Sequence, residues 1–408
     1  MKWKTIKIGD CCTKIGSGST PKGGSSVYKE DGVSFIRSQN VHNLEFNYDG
    51  LAHIDEKTAK KLNNVSIEEN DVLLNITGDS VARTCVVPRN ILPARVNQHV
   101  SIIRTKRQVI NPLYLNFYLA SPSMQSYMLG LAFGKGSSRN ALTKQIIENF
   151  EISCPPIKIQ ESIASILSHY DDLIEINKRR IALLEESARE LYKEWFVRMR
   201  FPGWEDIKIE KGVPYDWDYK ELKQFGKIVT GKTPSTDNQD NFGGDIPFIK
   251  TPDMHDCIFL LDTQETLSEK GANSQKKCLL PPLSVCISCI GTVGVVGITT
   301  TYSQTNQQIN SIIPSNKCYS YYLYFACESL KSTIEMYGAN GATMTNLNKS
   351  KFGKLKLLCP KDDSLFIRFD QKVSPLMSVI LNLQKQNKKL SLQRDRLLPR
   401  LMSGQLEV

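Results

Sequence analysis

The sequence predicts an α+β fold: two similar mixed α/β domains joined by two long helices that form an antiparallel coiled coil, the whole a pseudo-twofold tandem repeat. Three observations carry this expectation. The chain of 408 residues is written twice, each copy runs from short β-type segments into one long helical segment, and both helical segments show the 3,4 spacing of a coiled-coil seam.

The repeat comes first. "GSTP" (18–21) recurs as "GKTP" (231–234), "VSFIRSQNV" (33–41) as "IPFIKTPDM" (246–254), and "NITGDSV" (75–81) as "SCIGTVG" (288–294), all at one offset of 213. Further on, "NQHVSI" (97–102) answers "NQQINSI" (306–312), and "FEISCPP" (150–156) answers "LKLLCPK" (355–361), with the offset shrinking to 205 as loops differ. Each copy opens with turns and short β-type runs such as "DVLLNITG" and "ARVNQHVSIIRT", interspersed with short helices such as "PLYLNFYLAS".

The helical segments come next. Apolar positions run Ile159, Ile163, Ile166, Tyr170, Ile174, Asn177, Ile181, Leu184, Ala188, Leu191, Trp195 in the first. The second runs Phe366, Phe369, Val373, Leu376, Ile380, Leu383, Asn387, Leu390, Arg394, Leu397, Leu401. Two such seams in one chain invite mutual pairing, and docking of each helix on its own domain is the alternative. Pro375 fits the first helical position after Ser374, so the second helix is expected over 375–402, matching 169–196. Some 28 residues reach about 42 Å, close to one turn of B-form DNA. Punctuation stands at both boundaries: "CPPIK" and "CPKDD" before the helices, "FPGWE" and Gly404 after them.

"GKIVTGKT" (226–233) matches a phosphate-cradling loop, but Pro234 denies Thr233 the helix that such a loop must enter. Copy one has Thr13 and Ser19 where copy two has Gly226 and Lys232, so the segment reads as a repeated turn, with glycine supplying positive φ. Cys286 and Cys289 form the one C-x-x-C pair, set in an apolar β-rich run and without a second ligand pair, which favours a buried strand over zinc. The eleven cysteines are irregularly spaced, as in a reducing compartment. "MKWKTIKIGDCC" lacks a signal-peptide core and no run of 18 apolar residues exists, so the chain is expected in the cytoplasm. The net charge of +10 suits a polyanion such as DNA without deciding it.

The copies differ where they would meet a ligand: "KGGSSVYKEDG" against "STDNQDNFGGD", and "GKGSSRNALT" (134–143) against "GANGATMTNL" (338–347). Unlike readers imply an asymmetric, bipartite target. Candidate DNA contacts are Lys22, Arg37, Gln39, Arg83, Lys135, Ser138 and Arg139 in copy one, with Lys232, Lys250, Asn306, Asn340 and Thr343 in copy two. Arg and Lys suit guanine edges or phosphates, Asn and Gln suit adenine. Asn97-Gln98 and Asn306-Gln307 recur in both copies, which argues for a shared structural turn. Leu191, Tyr192, Trp195, Phe196, Leu397, Leu398, Leu401 and Met402 either pack the seam or offer a partner surface.

The tandem domain-plus-helix order, the openings "GSTPK" and "GKTPS", and the helix ends "LYKEWFVRMRFPGW" and "LLPRLMSGQLEV" resemble the DNA specificity subunit of type I restriction–modification systems over essentially the whole chain. The resemblance implies target-recognition domains at 1–155 and 203–362, and spacer helices at 156–202 and 363–408. It implies docking of two N6-adenine methyltransferase subunits on those helices, with restriction and translocase subunits joining for cleavage of double-stranded DNA. No active site is expected here: S-adenosylmethionine, Mg2+ and ATP would belong to the partner subunits, and no metal to this chain. The residues agree. "SCPPI" puts Cys154 where an amino-methyltransferase loop needs Asp, Asn or Ser and offers no aromatic. Pro252-Asp253 is followed by no nearby [DE]-x-K. A coiled-coil adaptor whose end domains bind proteins stays open as an alternative, and a nucleotide-driven remodelling factor as a weaker one.

Overall fold

Strand by strand, the duplication reappears in three dimensions. The structure, a computed structural model, describes residues 3–134, 141–338 and 347–408. It divides into two compact units, residues 1–175 with 388–408, and residues 176–387.

In the first unit an antiparallel sheet has the order Cys12–Ser17, Val100–Thr105, Val72–Asn75, Thr84–Val86. A second sheet has the order Ala94–Val96, Val33–Ile36, Ala52–Ile54, Tyr28–Lys29, its first pair parallel. Lys4–Lys7 pairs with Glu151–Cys154 just before the first long helix. The second unit repeats the plan. Gly226–Thr230, Ile309–Pro314, Val285–Ser288 and Val296–Thr299 form the first sheet, with Phe259–Leu260 added at its edge. Gln304–Thr305, Phe242–Ile249 and Glu265–Leu267 form the second, again with a parallel pair, and Trp217–Glu221 pairs with Lys356–Pro360.

The interior strands need their continuous apolar runs. All four residues of Val72–Asn75 are buried, as are all four of Val285–Ser288, because both faces of these strands are covered. Cys286 sits in that second strand with Cys289 just past its end, both fully buried, and burial pushes their thiols up to about 12 and about 11. Both pack as small hydrophobes in the sheet core. All eleven cysteines are free, and no cluster of potential metal ligands occurs among the described residues. No described helix is long and apolar enough to cross a membrane.

The first long helix spans Ile157–Tyr192 and continues as a π-helical turn over Lys193–Val197; the second spans Ser364–Met402. The second is therefore not confined to 375–402. It runs unbroken through Pro375, and through Pro399 as well. Pro375 is exposed, so water can reach the carbonyl that its missing N–H would have satisfied. Upstream, Phe366, Phe369 and Val373 are fully buried. Burying three such side chains contributes about 1.5–3 kcal/mol each, against about 3 kcal/mol for an internal proline. Packing prevails, and the helix begins instead at Ser364, whose amide and hydroxyl both donate to Asp362 Oδ1. Those two bonds hold the Asp362 carboxyl below its usual range.

In the first unit the early part of the first helix meets the late part of the second: Ile163, Ala164 and Leu167 share a core with Leu398, Leu401 and Met402. In the second unit the order inverts, with Ala188, Tyr192, Trp195 and Phe196 against Phe366, Phe369, Val373, Met377 and Ile380. Within each unit the two helical stretches thus run antiparallel. Two polar contacts fix the register. Arg394 Nη1 lies 2.5 Å from Asp171 Oδ1 within the first unit. Within the second, Asn177 Nδ2 donates to Asn387 Oδ1 at 2.9 Å and to Gln386 Oε1 at 3.2 Å. Polar groups in an apolar seam disfavour slipped alignments, since a one-turn shift leaves each without its partner.

Burial raises the Asp171 carboxyl, and the Arg394 guanidinium opposes that shift. Replacing Arg394→Leu leaves a half-buried carboxylate without its cation, at a cost of about 1–2 kcal/mol after allowing for partial solvent access. A group whose folded pKa is raised adds stability in its protonated form. The loss should therefore be full at neutral pH and shrink as pH falls through the raised carboxylate range, read as urea midpoints of both proteins across pH 4–7.

Candidate nucleic-acid interface

Gly18 and Gly231 begin the site in the two copies. Gly18 N donates to Val100 O at 3.0 Å and Ser19 N to Val96 O at 2.9 Å; Gly231 N donates to Ile309 O at 3.1 Å and Lys232 N to Thr305 O at 2.9 Å. A Cβ on Gly18 would stand 2.0 Å from Val96 O, and one on Gly231 would stand 2.2 Å from Asn306 O. Neither glycine has positive φ. The expectation of a left-handed turn is corrected: glycine is required for close backbone approach. Nor does "GKIVTGKT" enter a helix. Gly226–Thr230 is a sheet strand, and the next element after Thr233 is a short 3-10 turn at Gln239–Asn241. The phosphate-cradle reading and the remodelling factor built on it lose their structural basis.

The carbonyls that crowd these glycines belong to the Asn-Gln turns. Asn97 Oδ1 accepts from His99 N at 3.1 Å, and Asn306 Oδ1 from Gln308 N at 3.2 Å. Both asparagines are buried, and their own amides donate to Ile36 O and Ile249 O in the second sheets. This ties the turn to the segment just after each sheet strand, where Arg37 N donates to Asn40 Oδ1 and Lys250 N to Asp253 Oδ2. Asn75 closes the cluster in copy one, with Nδ2 donating to Ser38 O at 2.9 Å. Asn310 does so in copy two, donating to Leu347 O at 2.9 Å.

Each unit therefore gathers the Gly loop, the Asn-Gln turn, the loop after the central strand, and the 3-10 turn at 38–40 or 251–254. Leu142 N and Leu347 N attach to the same place, bonded to Ile76 O and Cys289 O.

Among the candidate DNA contacts, Lys22, Gln39, Arg83 and Lys232 are exposed. Arg37 and Lys250 are half-buried, and each lies over an aromatic ring: Arg37 at 5.4 Å from the Tyr28 centroid, Lys250 at 5.8 Å from that of Phe248. Lys250 also pairs with Glu265. Asn306 is 8% exposed, with Oδ1 and Nδ2 both engaged inside its turn, so it serves the turn. Lys135, Ser138, Arg139, Asn340 and Thr343 lie outside the described residues.

Sequence reasoning passed over the exposed partners of the turn. Thr77 Oγ1 lies 2.6 Å from His99 Nδ1, and Gln98 Nε2 lies 3.4 Å from His99 Nε2. In copy two Thr233 Oγ1 donates to Gln307 Oε1 at 2.7 Å. The signal was present in the recurring Asn-Gln pair: an Asx turn buries its first residue and projects the next.

The partner-surface alternative for the helix ends is corrected. Tyr192, Trp195 and Phe196 are buried in the core of the second unit, and Leu398, Leu401 and Met402 in that of the first, with Leu191 and Leu397 packed alongside. Ring contacts explain why: Phe196 stacks on Phe366 at 5.6 Å and meets Tyr322 at 4.7 Å, and the π-helical turn brings Trp195 and Phe196 together into one core.

Comparison with known proteins decides the family. The model of the type I restriction modification DNA specificity domain matches residues 1–186 and again residues 214–392. The chain belongs to that family. It is a type I restriction–modification specificity subunit with two tandem recognition domains. It is 28% identical to the type I restriction enzyme HindI specificity subunit of Haemophilus influenzae, over 99% of both chains. It is 26% identical to the MjaIX specificity subunit of Methanocaldococcus jannaschii, over 100% of this chain and 94% of that one. A crystal structure of a type I system S subunit from M. genitalium shares the fold at TM-score 0.59 and 15% identity, covering 98% of this chain and 96% of that chain.

Gly231→Ala forces a carbonyl contact that backbone must relieve, at a cost of about 1–3 kcal/mol. The specificity subunit carrying it should unfold at lower urea concentration, whereas Gly16→Ala, with open space at its Cβ, should unfold within about 1 kcal/mol of the parent.

Proposed function

We propose that this chain is the DNA-reading scaffold of a type I complex, each recognition domain reading one half of a split duplex target. One observation carries it: the two loop clusters share their buried framework of glycine and asparagine and differ in the side chains they expose. Copy one presents Lys22, Gln39, Arg83, Gln98 and His99, while copy two presents Lys232 and Gln307, with Thr233 half-buried beside them. A common cradle with unlike exposed groups suits two unlike half-sites.

The recognition domains are assigned to 1–155 and 203–362, and the spacer segments to 156–202 and 363–408. With the helix ends committed to the cores, the exposed faces of the two long helices are the surfaces on which methyltransferase subunits dock, and restriction subunits join through them. The chain itself carries out neither methyl transfer nor cleavage; S-adenosylmethionine, Mg2+ and ATP act on the partner subunits, in the cytoplasm. Support comes from "SCPPI", which puts Cys154 where an amino-methyltransferase loop needs Asp, Asn or Ser.

The test is co-purification with the methyltransferase encoded beside it, followed by mapping of methylated adenines. A single split motif is expected; methylation without sequence preference overturns the reading. Arg83→Ala should cost about 1–3 kcal/mol of binding if it meets a base, and should relax one position in one half of the motif only.

A further inference from the structure

The second unit contains a lysine-lined groove. It has a volume of about 560 Å³, with Lys223, Lys349, Lys354 and Ser350 around a floor that includes Gly226 and Gly353. All three lysines are exposed. One carboxylate faces them: Glu221 pairs with Lys223 at 2.5 Å. Its carboxyl is held below the usual range by that bond first, and then by the charges of Lys356 and Lys354.

The positive charge continues along the edge strand Gly226–Thr230 to the recognition loop. Burial raises the Cys278 thiol, and Lys232, Lys349 and Lys227 oppose it, so these three ammonium groups bear on one spot. Lys232 comes directly after Gly231, in the loop cluster itself. The groove is thus joined to the candidate interface within one unit.

Copy one occupies the same positions differently. Leu142 and Leu347 make equivalent backbone bonds to Ile76 and Cys289, which fixes the alignment of the residues downstream of each leucine. Lys349, Gly353, Lys354 and Lys356 then correspond to Lys144, Glu148, Asn149 and Glu151, and Lys223 to Asp10. There Lys144 pairs with Glu148 at 3.5 Å, Asn149 accepts from Lys7 at 3.0 Å, and Gly9 packs so tightly that a Cβ would lie 3.1 Å from Glu148 O. At Lys223, Lys349, Lys354 and Lys356 copy two has four cations, where copy one has one cation and two acids. Divergence of five charge units at matched positions points to a ligand that only the second half meets.

We propose that this groove and the strand edge leading from it form a phosphate track, holding the backbone of DNA that flanks the half-site read by the second domain. The inference rests on the DNA-reading role above and adds a sequence-independent grip on one side. From Lys223 to Lys232 the chain can extend about 30 Å at most, at about 3.3 Å per strand residue. Phosphates on one strand recur about every 3.4 Å of duplex axis, so several fall within reach, and contacts to three of them would release three condensed counterions.

The experiment uses the chain in complex with its methyltransferase, and measures binding to target and non-target duplexes over a range of salt concentrations. The triple substitution Lys223→Gln, Lys349→Gln, Lys354→Gln should lower the slope of log K against log salt by about 2–3. Affinity should fall on target and non-target alike, with the methylated motif unchanged. Lys144→Gln, at the matched position of copy one, should leave the slope as it was. The three single variants guard against misfolding of the triple, each lowering the slope by about 0.9. An unchanged slope in the single variants, or a changed motif, overturns the track. If the parent complex shows no preference for any split motif, the DNA-reading role itself fails, which is a separate outcome.

Discussion

Loops that leave a sheet to meet a ligand lose their ladder partners, yet their roots lie inside the protein, where an unpaired backbone group costs about 1–3 kcal/mol. This chain meets that constraint with buried asparagine amides. Asn40 donates to Asn47 O and Asp49 O, Asn75 to Ser38 O, Asn241 to Ser235 O and Asn310 to Leu347 O. Asn97 and Asn306 close their own turns against the glycines. Because the loop roots are held by a side chain and by backbone, the loop tips remain at liberty to vary in sequence without loss of the scaffold. That separation is what a protein with two unlike readers needs.

The same separation explains how the copies diverged. The buried groups at Asn97 and Asn306, and the tight glycines at 18 and 231, persist across the duplication. The surfaces do not, as the pairs Asp10 with Lys223 and Glu151 with Lys356 illustrate. The exchanged residues are exposed, so their divergence leaves the interior intact.

Much of this was legible in the sequence, because it depends on local spacing. The repeat offset of 213 recovers the strand correspondence, and the alternation of three and four steps recovers both helices and their seam, down to polar Asn177, Asn387 and Arg394. Features that depend on distant neighbours were not. Pro375 reads as a helix start until Phe366 and Phe369 are seen to be buried upstream of it. Gly231 reads as a positive-φ turn until the Asn306 carbonyl is found against it. Trp195 and Phe196 look like a partner surface because nothing local announces that Phe366, Tyr322 and Phe369 will cover them. Gln98 reads as part of a structural turn with Asn97, since a repeated pair does not reveal that one member faces inward and the next outward.

The first unit is assembled from two stretches of chain with the whole of the second unit between them: Leu398, Leu401 and Met402 complete a core that otherwise lies within residues 1–175. During synthesis the second unit can close as soon as it has emerged from the ribosome. The first must wait, with Ile163 and Leu167 uncovered, until residues 388–408 arrive. A truncation late in the gene would therefore damage the domain encoded at its beginning.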